Sequence, residues 1–268
     1  MAIIKEDVFK KIGKSKFLEL LNEYKKHIEI DAPEFLRIAE SHIKNSTGKE
    51  FSQSDFSKFK SLQDRWYSEF DYSAYDDPLY ICDLWACWSI YSRKSILSLV
   101  SKKSLNGSSV VDLIGNCSSV LDLGCGFGYT SAALKQVFPK AEIFATNIEG
   151  TVQYKVAEEI SRVYNFSLTS EIPKKEFNLI FASEYFEHIK NPIEHLCDLI
   201  DKTHPRFMVI ANGFNGIAIG HFTEYLHHGK PISASKMSLV FNESMNQLGY
   251  KKIKTKIWNN RPAVWIRK

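Results

Sequence analysis

A glycine-rich turn near the middle of the chain carries the clearest chemical signal. Gly124, Gly126 and Gly128 lie in VLDLGCGFG, after a short apolar run and before a stretch of helical character. Glycine lets the backbone approach a ligand closely, and the start of a helix offers unpaired N–H groups and positive potential. Asp122 lies two positions before the first glycine. A carboxylate there would repel a pyrophosphate but suits a ligand that carries an ammonium and a sulfonium group.

The GxGxG spacing with its preceding acidic residue resembles the first motif of class I (Rossmann-like) S-adenosylmethionine-dependent methyltransferases. The resemblance implies that the three glycines line the methionine end of the cofactor, and that Asp122 supports the loop or binds the cofactor's amino group. It also implies an acidic ribose ligand after the second strand. This sequence has Asn147 there, with Glu149 two positions further on. An amide can accept one hydrogen bond and donate another, so we expect Asn147 to bind the ribose less strongly than a carboxylate would.

The stretch FNLIFASEYFEHIKNPIEHL is similar to the segment after the fourth strand of many small-molecule methyltransferases. Its loop follows the predicted strand at the carboxyl end, where ligands bind in open α/β sheets. We predict that Ser183 contacts the cofactor and that Glu184 and Tyr185 contact the methyl acceptor. His188 is the first candidate for a general base, because imidazole titrates near neutrality, and His221 in GHFTEY is the second. The alternative for each histidine is a purely structural role.

The elements that must position these residues begin at Ser118, where short apolar strands alternate with helices. This alternation indicates a parallel sheet covered on both faces. Strands are predicted near 120–124, 141–147, 166–169, 177–183 and 206–212, and helices near 129–138, 151–164, 192–202 and 236–248. YKKIKTKIW and AVWIR, joined by the turn NNRP, predict a final hairpin. We therefore expect an α/β, Rossmann-like, doubly wound, mostly parallel seven-stranded sheet with an antiparallel last strand, preceded by an N-terminal helical region.

The predicted domains are a helical substrate or cap region over 1–114 and a methyltransferase domain over 115–268, with an insertion at 213–235. Tyr75 and Asp76 belong to DYSAYDD, within a segment unusually rich in aromatic residues. We predict that both contact the acceptor, because so many tyrosine and aspartate side chains in one loop cannot all be buried cheaply.

Arg261, in the turn of the final hairpin, is predicted to lie on the same rim as the glycine loop. A guanidinium forms two-pronged contacts with carboxylate or phosphate, so we expect Arg261 to bind an anionic part of the acceptor. The alternatives are an exposed turn arginine, or one that is paired to Asp76 or Asp77.

Composition excludes several other classes of protein. The 268 residues contain 44% hydrophobic and 25% charged side chains, which is typical of globular domains. An odd count of five cysteines without paired CxxC spacing indicates neither a disulfide framework nor a metal site. No apolar run approaches the length of a membrane span, and the first residues lack the apolar core of a signal peptide, so we expect a cytoplasmic protein.

Three functions remain open. The first is methyl transfer from S-adenosylmethionine to a small-molecule acceptor, with the helical region and the insertion as a lid. The second is modification of a nucleotide or nucleic acid, which two lysine clusters would favour, although a formal net charge of +4 does not by itself indicate nucleic acid. The third is a non-catalytic cofactor-binding protein, for which Asn147 is the one hint. The oligomeric state and the atom that is methylated do not follow from the sequence.

Overall fold

The computed structural model of the chain describes residues 53–70, 72–77, 80, 84, 92–216, 218–257 and 261–268. Within the predicted cap region 1–114, residues 1–52 therefore lie outside the described residues. So do Asn259 and Asn260 of the predicted hairpin turn.

Seven of the nine strands in the described residues lie at predicted positions, whereas β6 and β7 of the insertion were not predicted. They are β1 (Ser119–Leu123), β2 (Glu142–Thr146), β3 (Ser167–Thr169), β4 (Leu179–Ser183), β5 (Phe207–Ala211), β6 (Glu224–His227), β7 (Lys230–Ser233), β8 (Tyr250–Ile253) and β9 (Ala263–Arg267). Seven of them form one sheet in the order β3-β2-β1-β4-β5-β9-β8, and β6 and β7 form a separate antiparallel hairpin.

The direction of the strands confirms the predicted fold class. Strands β1 to β5 pair in parallel with their neighbours, whereas β9 is antiparallel to both β5 and β8. Strand β8 therefore runs in the same direction as β1 to β5. The carboxyl ends of these parallel strands meet at one edge of the sheet, which we call the ligand edge.

The helices are α1 (Gln53–Glu69), α2 (Arg93–Val100), α3 (Val110–Ile114), α4 (Tyr129–Val137), α5 (Val152–Tyr164), α6 (Pro192–Thr203) and α7 (Ala234–Gln247), with short 3₁₀ turns at Tyr72–Asp76 and Phe186–His188. The four predicted helices agree with α4 to α7 to within two residues at each end. The largest difference is the start of α7. There the Ser233 side chain caps the helix by accepting from the Lys236 amide, so α7 begins directly after β7.

Strands β1, β4 and β5 are buried along their whole length, because helices cover both faces of the sheet. One face packs against α2, α3, α4 and α5 and includes Val120. The other packs against α1, α6 and α7 and includes Leu121. Helices α2 and α3 precede residue 115 but pack in the same core as β1. The predicted domain boundary at 114/115 stays a prediction. None of the helices in the described part is long and apolar enough to cross a membrane.

The insertion 213–235 contains the β6–β7 hairpin and packs against the sheet through its aromatic residues. The Tyr225 ring is fully buried, and its hydroxyl donates to the Glu187 carbonyl at 2.9 Å. Phe222 lies 5.7 Å from the Trp66 ring of α1 and 5.8 Å from the Tyr225 ring. The insertion thus joins α1 to the loop after β4.

Candidate active site

The glycine loop connects β1 to α4 at the ligand edge, and its three glycines are needed for different reasons. All three have left-handed φ values, of +61° at Gly124, +55° at Gly126 and +85° at Gly128. A Cβ on Gly124 would lie 2.6 Å from the Tyr185 ring, and one on Gly128 would lie 3.0 Å from the Phe166 ring. At Gly126 the nearest atom would be 3.8 Å away. Gly126 therefore has the room beside it that a ligand would need.

Asp122 is buried and supports the loop, which is one of the two roles predicted for it. Its Oδ2 accepts from the Thr130 hydroxyl at 2.6 Å and from the Ser131 hydroxyl at 2.5 Å. Burial raises the pKa of Asp122 to about 7, although the two hydroxyl hydrogen bonds oppose the rise. The carboxyl group thus ties β1 to the first turn of α4.

The end of β2 also holds the loop. The Asn147 Nδ2 donates to the Gly126 carbonyl at 2.6 Å, and its Oδ1 accepts from the Ile148 amide at 2.8 Å. Glu149 is exposed and accepts from the Ser170 hydroxyl at 3.2 Å, which joins the ends of β2 and β3. The predicted ribose contact of Asn147 stays a prediction, and the amide has a structural contact that sequence did not indicate.

Two predicted residues after β4 have partners within the protein. The Ser183 hydroxyl lies 3.3 Å from the Ser92 hydroxyl at the start of α2. The Tyr185 ring covers Gly124, and its hydroxyl lies 2.9 Å from His195 Nε2 on α6. Burial raises the pKa of Tyr185, so its hydroxyl keeps its proton. Tyr185 packs between the glycine loop and α6.

The two predicted catalytic histidines lie side by side. The rings of His188 and His221 are perpendicular, with centroids 4.8 Å apart. The His221 Nδ1 lies 2.8 Å from the Gly216 carbonyl, so this nitrogen carries a proton. Burial and the neighbouring His221 hold the pKa of His188 well below 6.5, against a hydrogen bond with the Gly220 backbone that raises it. His188 is therefore neutral at pH 7 and able to accept a proton.

Tyr75 reaches the same histidine from the aromatic segment. Its hydroxyl lies 3.2 Å from His188 Nδ1. Its ring is stacked between Trp66, at 5.6 Å, and Tyr80, at 4.5 Å. The Trp66 Nε1 donates to the His221 carbonyl at 2.7 Å, so one aromatic stack supports both histidines.

Tyr75 and Asp76 differ in exposure, since Tyr75 is buried and Asp76 is exposed, and their predicted contacts with the acceptor stay predictions. Tyr75 is only 3% exposed, because its hydroxyl has a partner inside the protein and burial of the ring is then favourable. The Asp76 Oδ1 accepts from the Val152 amide at 2.9 Å, at the positive N-terminus of α5. Asp76 thus caps α5, and this contact attaches the aromatic segment to the start of that helix.

Arg261 lies on the predicted rim, but its partner is one that sequence did not suggest. It forms an ion pair with Glu184 rather than with Asp76 or Asp77; Asp77 instead lies 3.6 Å from Arg65. The Glu184 backbone is left-handed at φ +56°, and its amide donates to the Ala211 carbonyl at 2.7 Å. The Arg261 charge therefore has a partner within the protein, and its predicted contact with an anionic acceptor stays a prediction.

Glu187 is the candidate functional residue that sequence reasoning left without a role. It is fully buried, and its Oε1 accepts from the Gly213 amide at 2.5 Å. Burial and the nearby Glu184 raise the pKa of Glu187 well above its ordinary value, although Arg261 opposes the rise. Sequence could have identified Glu187 as a candidate by its position directly before His188, in a loop at the ligand edge.

No group of three or more His, Cys, Asp or Glu side chains in the described part of the chain is arranged to hold a metal ion. The three described cysteines, Cys117, Cys125 and Cys197, are free thiols.

Comparison with known proteins finds a family model that matches part of the chain. Residues 93–210, or 118 of the 268 residues, match the family model described as "Methyltransferase domain". No curated protein matches the chain in sequence.

Several solved structures resemble this chain at low sequence identity. A protein from Nostoc punctiforme, provisionally described as an O-methyltransferase, is 13% identical, with a TM-score of 0.48; the match covers 70% of this chain and 59% of that one. The plantazolicin methyltransferase, solved with a substrate analogue and SAH, is 16% identical (59% and 61% covered, TM-score 0.41). Coclaurine N-methyltransferase is 18% identical (54% and 49% covered, TM-score 0.38). At these values the similarities identify no acceptor.

The family match, the sheet order and the glycine loop after β1 agree with one another. The open space beside Gly126 and the buried carboxyl of Asp122 behind the loop fit S-adenosylmethionine as the cofactor. Residues 93–210 therefore match a methyltransferase domain model, and the sheet that they help to form has a Rossmann-like, mostly parallel order.

Proposed function

We propose that the protein transfers a methyl group from S-adenosylmethionine to a small molecule, bound beside His188. The observation that carries this proposal is the contact of His188 with two other segments. The Tyr75 hydroxyl approaches His188 from the aromatic segment, and the His221 ring approaches it from the insertion. Side chains from three parts of the chain thus meet at this side of the ligand edge, and sites for small molecules are commonly lined by residues from several elements.

The residues that would hold the cofactor are those of the glycine loop and of the end of β2. The loop leaves open space beside Gly126. The Asn147 side chain donates to the Gly126 carbonyl, and the Asp122 carboxyl group accepts from the Thr130 hydroxyl in the first turn of α4. When bound, S-adenosylmethionine supplies a methyl group made electrophilic by the positive charge on sulfur. The contribution of the protein is then chiefly to hold the acceptor in line with that methyl group.

His188 would act on the proton of the acceptor. An ammonium group must lose a proton before its nitrogen has a lone pair for the new bond to carbon, and a hydroxyl group must lose its proton as that bond forms. The neutral imidazole of His188 can accept the proton in either case. The adjacent His221 disfavours a lasting positive charge on His188, which would favour release of the proton to solvent.

One observation favours the second candidate, a nucleic-acid acceptor. Lys102, Lys103 and Lys256 line a surface groove of about 660 Å³ together with Asn106 and Gly107. Lys102 and Lys103 are consecutive, and Lys256 comes from a distant part of the sequence; the Lys256 amide donates to the Ser104 carbonyl at 2.9 Å. A row of lysines is the kind of surface that attracts a phosphate backbone.

Two measurements test the proposal. SAH should raise the melting temperature of the wild-type protein, since a ligand of the native state stabilises it, and should not do so for Gly126→Val. Incubation of the SAM-loaded protein with fractionated metabolites should then yield a small molecule heavier by one methyl group. Oligonucleotide binding that weakens steeply with salt, together with methylated oligonucleotide and no methylated metabolite, would favour the second candidate instead.

A further inference from the structure

We propose that Tyr75 is a positioning residue, which holds the proton of the neutral His188 ring on Nδ1, so that Nε2 is the nitrogen that takes up the proton of the methyl acceptor. This inference rests on the proposed function, in which His188 is the base, and it states which nitrogen of that base acts. A neutral imidazole carries one N–H and one lone pair, so the choice decides how the acceptor must lie against the ring.

Two groups approach Nδ1 of His188. The Tyr75 hydroxyl lies 3.2 Å from it. A Cβ on Gly220 would clash with Nδ1 and would lie 2.7 Å from the neighbouring Cε1, so the Gly220 backbone packs directly against this edge of the ring. Nδ1 is therefore occupied by contacts within the protein.

The Gly220 contact indicates where the proton is. Burial lowers the pKa of His188, whereas its hydrogen bond with the Gly220 backbone acts to raise it, as a carbonyl that accepts from the ring does. A carbonyl oxygen cannot donate, so the ring nitrogen that faces Gly220 carries the proton. The Tyr75 oxygen then accepts from the same Nδ1–H group, and the lone pair is on Nε2.

The Tyr75 hydroxyl is fixed in place from two sides. Its ring is stacked between Trp66 and Tyr80, at interplanar angles of 17° and 28°. The next residue, Asp76, accepts from the Val152 amide at the start of α5 and so anchors the same short 3₁₀ turn. A hydroxyl on so constrained a ring can hold His188 with little further loss of side-chain entropy.

Tyr75 suits this role before and after proton transfer. Burial raises the pKa of Tyr75, so its phenol stays neutral and its oxygen can accept from Nδ1–H. When the acceptor's bond to its proton breaks and the Nε2–H bond forms, the ring becomes positively charged, and the hydrogen bond to Tyr75 becomes charge-assisted. Tyr75 thus stabilises the state that follows proton transfer more than the neutral state, which is the condition for accelerating the reaction.

NMR of the full chain labelled with ¹⁵N-histidine tests the assignment without any cofactor, because protonated and unprotonated ring nitrogens differ widely in chemical shift. Among the eight histidines, the signals of His188 are those that disappear in His188→Gln. At pH 7, where the ring is neutral, we expect wild type to carry the proton on Nδ1. A proton on Nε2 would overturn the proposal, because Tyr75 would then donate to Nδ1 and leave no lone pair for the acceptor.

Tyr75→Phe keeps the stacked ring and removes only the hydroxyl. The rate of methyl transfer to the metabolite fraction that wild type methylates should fall about tenfold at saturation, the effect of one hydrogen bond. The amount of fraction needed for half the maximal rate and the stabilisation by SAH should not change. In the NMR spectrum, part of the His188 population should move its proton to Nε2.

The matched control is Tyr72→Phe, which removes the hydroxyl of an exposed tyrosine in the same 3₁₀ turn. It should keep the wild-type rate and the wild-type His188 signals. A wild-type rate in Tyr75→Phe, or equal losses in Tyr75→Phe and Tyr72→Phe, would exclude the positioning role of Tyr75.

The two readouts separate this inference from the proposed function. If wild type transfers a methyl group to a metabolite but carries the His188 proton on Nε2, the role of Tyr75 is wrong and the proposed function is unaffected. If no metabolite gains a methyl group, the proposed function fails and the use of Nε2 in the reaction fails with it, whereas a proton found on Nδ1 still supports the contact with Tyr75.

Discussion

Substitution of Asp122 by asparagine should change how the stability of the protein depends on pH. Burial raises the pKa of Asp122 from 3.8 to about 7 in the folded protein. Because the folded-state pKa is higher than the unfolded one, the folded protein holds this proton more tightly. The resulting stabilisation is complete below about pH 4 and is lost as the pH rises through 7. At about 1.4 kcal/mol per pH unit, the total is about 4 kcal/mol.

Asparagine is a close replacement, because both hydroxyl groups donate to the same oxygen. Thr130 and Ser131 both bond Asp122 Oδ2, so the single oxygen of an amide can accept both hydrogen bonds. The free energy of unfolding, measured with urea, should therefore fall between pH 4 and pH 8 by about 4 kcal/mol more in wild type than in Asp122→Asn.

Asp201→Asn, which changes an exposed aspartate of α6, serves as the control and should keep the wild-type pH dependence. The difference between Asp122→Asn and wild type isolates this one carboxyl group from all other titrating residues. If the two proteins lose stability in parallel from pH 4 to pH 8, Asp122 is not the buried titrating group that the structure indicates.

Three further predictions follow from the site. Gly126→Val should fold but lose SAH binding in calorimetry, because the side chain would fill the open space; unchanged affinity would remove this loop from the cofactor site. Asn147→Asp should weaken SAH binding about tenfold, because it removes the donor to the Gly126 carbonyl; tighter binding would support a ribose contact instead. His188→Ala should lower kcat about 100-fold with SAH affinity intact. Because burial and His221 hold the pKa of His188 well below 6.5, wild-type kcat/KM should fall only below pH 6.5, and a fall at higher pH would exclude His188 as the base.

Local patterns in the sequence were sufficient to predict the strands of the seven-stranded sheet and the helices between them. The run from Ser118 to Ala211 alternates buried apolar strands with amphipathic helices, and each pattern has its own period, so strands and helices could be told apart. Pro192 is the first residue of α6 because proline fits the first helical turn, whereas the Asn191 side chain makes no capping hydrogen bond. The antiparallel last strand followed from the connection before β9, which in the structure spans residues 254–262 and is still shorter than the crossover that parallel neighbours need.

The glycine loop was also predictable, because its function depends on backbone conformation within a few consecutive residues. The left-handed conformations of Gly124, Gly126 and Gly128 match the glycines that the motif requires. Which glycine faces open space was not predictable, since it depends on Tyr185 and Phe166 from other elements.

The partners of the charged and polar side chains were decided only by the tertiary structure. His188 meets Tyr75 across 113 positions, and Arg261 meets Glu184 across 77 positions. A sequence indicates which groups can pair, but the free energy of a pair depends on its distance and on how far both groups are removed from water. That is why Arg261 could be placed on the ligand edge from sequence, whereas its ion pair with Glu184 and the buried Glu187 beside it required the folded chain.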